Sequence, residues 1–167
     1  MKVNIGPYSD EGERETSIQI DDYDIWSMDH TLAMIIEPML VKLALAKHGA
    51  PYVDVDDCPP DLKPKSDSVD INGNWLGGTD DTHHERWTWV LNEMIWSFHQ
   101  KNYDWEEQYY SGESDFYFED ADEEGYSVMK HGPNDTFRVD RAAMKIHQER
   151  MNNGFKLFGK YFESLWD

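Results

Sequence analysis

The chain has a single cysteine, Cys58, among 167 residues. One thiol excludes an internal disulfide framework and any all-cysteine zinc site, and it fits a reducing compartment. Long apolar runs are also missing: nothing approaches the roughly 18 consecutive apolar residues that a membrane span needs. The opening "MKVNIGPYSDEGE" has no apolar middle of the kind a secretory leader carries. No Walker loop, G-x-G-x-x-G, G-x-S-x-G or paired C-x-x-C occurs, so the common nucleotide, hydrolase and redox signatures are absent. Cys58 itself precedes two prolines among acidic neighbours, surroundings that disfavour a thiolate.

Basic residues are scarce as well. Fifteen Lys and Arg face 34 Asp and Glu, a formal net charge of −19. Such a chain repels nucleic-acid phosphates and anionic membranes over long range and attracts basic partners. The imbalance is unevenly placed. Residues 104–124 hold ten acidic side chains and no Lys or Arg, whereas residues 130–160 hold seven basic and three acidic ones. An acidic side and a near-neutral or basic helix follow. Solubility alone also accounts for high acidity, which describes a surface and not a function.

What the chain does have is aromatic mass. Seven Trp, nine Tyr and seven Phe suffice for a packed core, so the acidity does not mean disorder. Three helices are predicted. In "DIWSMDHTLAMIIEPMLVKLALAKHGAP", Ile25, Met28, Leu32, Ile35, Ile36, Met39 and Leu43 recur at helical steps. Pro38 is expected to kink or split that helix, and Gly49 with Pro51 to end it. In "THHERWTWVLNEMIWSFHQ", Trp87, Val90, Leu91, Met94, Ile95 and Phe98 form one face, with Trp89 and Trp96 on the other. A helix with large aromatics on both sides is central in a fold, or offers one face to a partner. In "DRAAMKIHQERMNNGFKLFGKYFESLWD", Met144, Met151, Phe155, Phe158, Phe162 and Leu165 keep helical spacing. Gly154 and Gly159 flank that face, as if to admit a neighbouring backbone.

Strands fill the intervals. "VNI" pairs with "TSIQI", "DFYF" with "YSVMK", and "SVMKHGPNDTFRV" reads as a hairpin turning at "GPND". The connection "VDVDDCPPDLKPKSDSVDINGNWLGG" is long for a compact domain. The expected fold is a single α+β domain over residues 1–167, with three principal helices around an aromatic core and a small antiparallel sheet.

The histidines invite a metal reading. In "DDTHHE", however, Thr82 and Glu85 have capping-box spacing, and Asp80 and Asp81 lie where the helix dipole favours negative charge. His83 and His84 have no ligand partner three or four residues along the same helix, and H-E-x-x-H is absent. A site would need His30, Glu37 or His131 from elsewhere. Asp29 reads as a carboxylate at the edge of a buried face, where a raised pKa would suit acid catalysis. Two segments come near a calcium loop. "DADEEGYSVMKH" ends on His131 in place of a bidentate Glu, and "DINGNWLGGTDD" puts Trp75 where the turn needs Gly. Neither metal nor cofactor is expected.

The stretches "DYDIWSMDHTLAMIIEPMLVKL", "KHGAP", "WVLNEMIWSF", "DWEEQYY" and "NNGFKLFGKYFESLWD" resemble a family of small acidic proteins encoded by tailed bacteriophages. The resemblance covers the three helices, about half the chain, and brings no activity and no functional residue with it. It implies a phage origin and a place in the bacterial cytoplasm or in the virion.

The leading expectation is therefore a non-enzymatic protein that binds a basic protein partner and blocks its nucleic-acid site, without touching nucleic acid or membrane itself. Asp115, Glu119, Asp120, Asp122, Glu123 and Glu124 are the expected contacts. One alternative is a virion or assembly component that forms a homo-oligomer through Trp89 and Trp96. Another is an enzyme or small-ligand binder whose pocket combines Asp29, His30, His83 and His84.

Overall fold

The structure, a computed structural model, describes residues 1–64, 71–72, 79–120 and 125–166. It is a mixed α+β domain. An N-terminal hairpin, β1 (Lys2–Tyr8) and β2 (Arg14–Gln19), leads into a short α1 (Asp22–Trp26) and the long α2 (Met28–Ala46). After a connection that includes 3-10 turns at Val55–Asp57 and Pro60–Leu62 comes α3 (His83–Lys101). Four strands follow, β3 (Tyr110–Ser111), β4 (Phe116–Asp120), β5 (Ser127–His131) and β6 (Arg138–Val139). The last helix is α4 (Arg141–Lys160), with a final 3-10 turn at Phe162–Ser164.

α3 is central, as its two aromatic sides require. Trp87, Leu91, Met94 and Phe98 form one buried stripe, and Arg86, Val90, Glu93 and Ser97 form a second beside it. α2 covers α3 with Ala33 and Leu40, which are buried, and with half-buried Ile36 and Leu43. The two helices run antiparallel, because Lys101 near the end of α3 pairs with Asp29 near the start of α2 at 2.6 Å. Glu37 adds a second link: its carboxylate takes His99 Nδ1 at 2.7 Å and Asn102 Nδ2 at 2.5 Å.

α4 packs on the other side. Its Phe155 and Phe158 meet Phe98 edge-on at 5.2 and 5.0 Å between ring centroids. Gly154 makes this crossing close. A Cβ there would lie 2.0 Å from Ser97 Oγ and 2.6 Å from the Glu93 carbonyl oxygen. Gly159, expected to play the same part, has open space around it. The C-terminal segment docks through Tyr161, whose ring stands edge-on to Trp87 at 6.0 Å. Its hydroxyl donates to Asp57 Oδ2 at 2.6 Å and accepts from the Asp54 amide at 2.9 Å. This holds the Val55–Asp57 turn, with Val53 and Cys58, against the core.

Three sequence readings change. The first helix breaks at Ser27 and runs through Pro38 without interruption. Pro38 and Met34 are exposed, so the carbonyl that Pro38 leaves without its amide is on the solvent side. The stripe Ile25, Met28, Leu32 and Met39 is not core, since all four side chains are exposed. Finally, "SVMKHGPNDTFRV" is no hairpin. β5 pairs with β4 and β6 with β3, in the registers Phe116↔His131 and Tyr110↔Val139. The turn is pinned sideways: Asp115 accepts from the Gly132 amide through its carbonyl and from the Asn134 amide through its carboxylate, at 2.8 and 3.0 Å. The chain then returns beside 113–115, where the Thr136 amide meets the Glu113 carbonyl at 3.0 Å. The four strands thus make one interrupted two-stranded ribbon.

Gly154→Ala tests the helix crossing. Overpacking at such a contact costs about 1–3 kcal/mol, so the variant is expected to unfold at lower denaturant with an unchanged m value. Equal or greater stability would show that α3 and α4 are less closely packed than described.

Candidate protein-binding surface

The sequence-predicted residues do not gather into one pocket. Asp29 and His30 begin α2, beside the end of α3, whereas His83 and His84 begin α3, a 19-residue helix of about 28 Å. Asp29 is exposed, and the Lys101 ammonium holds its carboxyl below the usual range, opposite to the raised value expected of an acid catalyst. His83 Nε2 lies 3.0 Å from the Ala50 carbonyl oxygen, and its ring meets His84 edge-on at 5.4 Å. His131 pairs with Asp135 at 2.7 Å. Among the described residues no three His, Cys, Asp or Glu side chains converge as a metal would need. Of the two near-calcium segments, Asp70, Asn74, Trp75, Asp122 and Glu124 lie outside the described residues. Cys58 is buried, and burial, more than its acidic neighbours, pushes its thiol up to about 11.

"DDTHHE" opens the helix by other means than a capping box. Thr82 is the N-cap residue, but its hydroxyl makes no cap hydrogen bond. It accepts from Arg86 Nη1 at 2.7 Å and faces Asp80 Oδ1 at 2.7 Å and the Leu62 carbonyl at 3.0 Å. Asp80 receives the Thr82 amide at 2.8 Å and grips Arg86 with both oxygens, at 3.0 and 2.5 Å. The side chains of Arg86 and Asp80 are 2% and 0% exposed. The Arg86 guanidinium holds the Asp80 carboxyl far below the ordinary carboxylate range. Sequence reading missed this pair. Its signal was Arg86 standing one turn before Val90 in a stripe that the helix buries.

Trp89 and Trp96 are half-buried within the chain. Trp89 packs against the core. Trp96 carries the Arg150 guanidinium over its ring at 3.9 Å and faces His147 at 4.8 Å. Arg150 is in turn held by Glu93 at 2.7 and 3.0 Å. His147 also stacks on Trp105 at 4.4 Å, and its Nδ1 lies 2.9 Å from the Tyr109 hydroxyl. This cluster fastens the root of the ribbon to α3 and α4.

The predicted acidic contacts lie on the ribbon. Asp115 serves its turn, as described above. Glu119 pairs across the strands with Lys130. Asp120 ends β4 and is exposed. Asp122, Glu123 and Glu124 lie outside the described residues. Sequence reading passed over what stands beside them. Phe116 and Phe118, 5.9 Å apart edge-on, share a face with Met129, the cross-strand partner of Phe118. All three are exposed.

Several clefts open on the surface of the described residues. A polar one of about 380 Å³ lies between His30, Lys101, Asp104, Glu106 and Tyr110. A larger one of about 700 Å³ runs between α2 and the C-terminal segment and is lined by apolar side chains. No helix among the described residues is long and apolar enough to cross a membrane.

Asp80→Ala strands a buried guanidinium and is expected to cost about 3–5 kcal/mol. Because the folded carboxyl titrates below its unfolded value of about 3.9, its contribution is complete above that pH and is lost as pH falls further. Denaturant titrations of both proteins are expected to show the wild type losing stability below about pH 4 and Asp80→Ala losing less. Equal stability of the two at neutral pH would contradict this role. Comparison with known protein families, curated proteins and solved structures finds no match to this chain.

Proposed function

We propose that the protein works by binding another protein, without chemistry of its own, and that the ribbon from Tyr110 to Val139 is its recognition arm. The carrying observation is the β4–β5 face, where Phe116, Phe118 and Met129 are exposed on the same side as Asp120. Aromatic and Met side chains supply the apolar centre of protein interfaces, and charge at the edge sets orientation and on-rate. The arm continues into a segment of the chain rich in carboxylates, and the whole carries −19. A complementary partner is basic, with an apolar hollow inside a positive rim. Nucleic-acid-binding sites of proteins have that sign of charge, so occupancy by the arm would exclude DNA or RNA.

The resemblance to tailed-bacteriophage proteins supports a host factor in the bacterial cytoplasm, or a component of the virion, as the partner. Trp96 and His147 support the arm at its root and are positioning groups in this reading.

Wild type, Phe116→Ser with Phe118→Ser, and Asp120→Lys with Asp122→Lys and Glu123→Lys are to be compared as baits on bacterial lysate, with the retained protein then measured kinetically. The serine variant is expected to lose the partner. The charge-reversed variant is expected to associate more slowly with little change in dissociation. Exposed charges are screened within about 10 Å at 0.1 M salt, so the wild-type on-rate is expected to fall as salt rises. A partner held equally by all three proteins, with an on-rate indifferent to salt, would remove this reading.

A further inference from the structure

Every ring at the root of the ribbon has a neighbour, but one ring nitrogen does not. The chain approaches the ribbon through a 3-10 turn, Glu107–Tyr109, and returns into α4 at Asp140, whose amide donates to the Tyr109 carbonyl at 2.9 Å. This turn meets α4, whereas the strands of the ribbon meet chiefly one another. Half-buried His147, on α4, closes the joint. Its ring lies almost flat on Trp105, with 16° between the planes, and stands edge-on to Tyr109 at 5.8 Å. Its Nδ1 meets the Tyr109 hydroxyl. Its Nε2 is shielded from solvent and has no hydrogen-bond partner among the described residues.

A neutral imidazole fits this place better than a charged one. The neutral ring has one N–H and one lone pair, so Nδ1 can share a proton with the Tyr109 hydroxyl in either direction. An imidazolium has two N–H donors. Nδ1 would then donate to the Tyr109 oxygen, and the Nε2 proton would face no acceptor. A buried donor without a partner destabilises, and a charged one destabilises more. The carboxylates on the surrounding elements are engaged elsewhere. Glu93, on α3, is held by Arg150 through both oxygens. Asp140 accepts from the Ala143 amide at 3.0 Å. Glu106 and Glu107, on the turn, line the polar cleft with Lys101, and Glu106 accepts from the Tyr110 hydroxyl. The charge that acts on the ring has the same sign as a proton: it is that of Arg150, one turn on, whose guanidinium covers Trp96. Burial first, and the Arg150 charge second, hold the His147 pKa below its usual value. The Trp105 face attracts a cation, but it supplies no acceptor for Nε2.

We infer that His147 is a proton-operated catch: a proton on its ring releases Trp105 and Tyr109 from α4 and frees the ribbon to move about its root, while α2, α3 and α4 stay packed. The closed joint disfavours the proton, whereas a ring freed from it takes the proton with an ordinary pKa of about 6.5. Opening is therefore promoted as pH falls below that value and suppressed above it. This window lies above the one in which Asp80 gains its proton, so the two acid effects separate. The catch belongs to the fold and does not rest on the ribbon's being a recognition arm.

The test is NMR of the full chain, without any partner, as wild type, His147→Gln and His147→Phe, across about pH 5 to 8 where histidines change charge. The His147 ring of the wild type is expected to titrate below about 6.5. Protection of the Asp140 amide against hydrogen exchange, corrected for the intrinsic rate, is expected to fall by up to about tenfold per pH unit below that value, one proton being taken up on opening. His147→Gln can still bond the Tyr109 hydroxyl, and His147→Phe keeps a ring on Trp105, but neither side chain titrates. In both variants Asp140 protection is expected to stay level across the window, with helical circular dichroism like the wild type's. A His147 ring that titrates at or above its usual value overturns the inference, and this reading needs no variant. So does an Asp140 amide protected equally at both ends of the range, or one that loosens in acid alike in the wild type and both variants.

Discussion

α2 and α4 are both hung on α3, and α3 is stable only because both of its flanks are closed. A helix buried on two sides has no solvent to satisfy its polar side chains, and α3 carries three in its second stripe. Each has its own partner. Arg86 is neutralised by Asp80, Glu93 receives Arg150, and the Ser97 hydroxyl donates back to the Glu93 carbonyl at 2.9 Å. A buried charge left alone would cost more than the pair contributes. These pairs therefore fix where the chain enters α3 and how α4 crosses it, while the apolar stripe supplies most of the driving force. The absent side chain of Gly154 belongs to the same constraint, because the Ser97–Glu93 bond occupies the space a Cβ would need.

Outward from that centre the character changes. The aromatic cluster at the root of the ribbon is well partnered, but the ribbon's far end and the N-terminal hairpin expose whole faces of Phe, Met, Ile and Val. The single chain thus combines a closed helical centre with two arms whose patterning asks for burial. Contiguous exposed apolar surface is where folded proteins meet their partners. The acidity balances that tendency. A net charge of −19 keeps such surfaces from non-specific collapse while leaving basic partners attractive.

Much of this was legible in the sequence. Long periodic segments placed α3 and α4 well, since Trp87, Leu91 and Met151 occupy core positions in any helical reading. The pairings β1–β2 and β4–β5 were read from short strand-like segments on either side of a loop. Periodicity could not tell which apolar stripe of α2 faces its own chain, because α2 is apolar nearly all round. It therefore assigned Leu32 and Met39 to the core. The turn at 132–135 was misread because its geometry comes from Asp115, a residue far back in the chain, and not from the "GPND" motif itself. Capping at Thr82 failed for a related reason. The spacing to Glu85 was right, but Arg86 and Asp80 captured the hydroxyl. Composition found the acidic segment and overlooked the exposed Phe116, Phe118 and Met129 beside it.

That α3 is the closed centre of the fold is tested most directly by amide hydrogen exchange of the full chain. The amides of α3 are expected to exchange most slowly, by global unfolding. Those of β1 and β2, whose apolar face is exposed, are expected to exchange through local opening, well before α3. Protection of the hairpin that matches α3 would contradict this, since it would place the hairpin in the same closed unit.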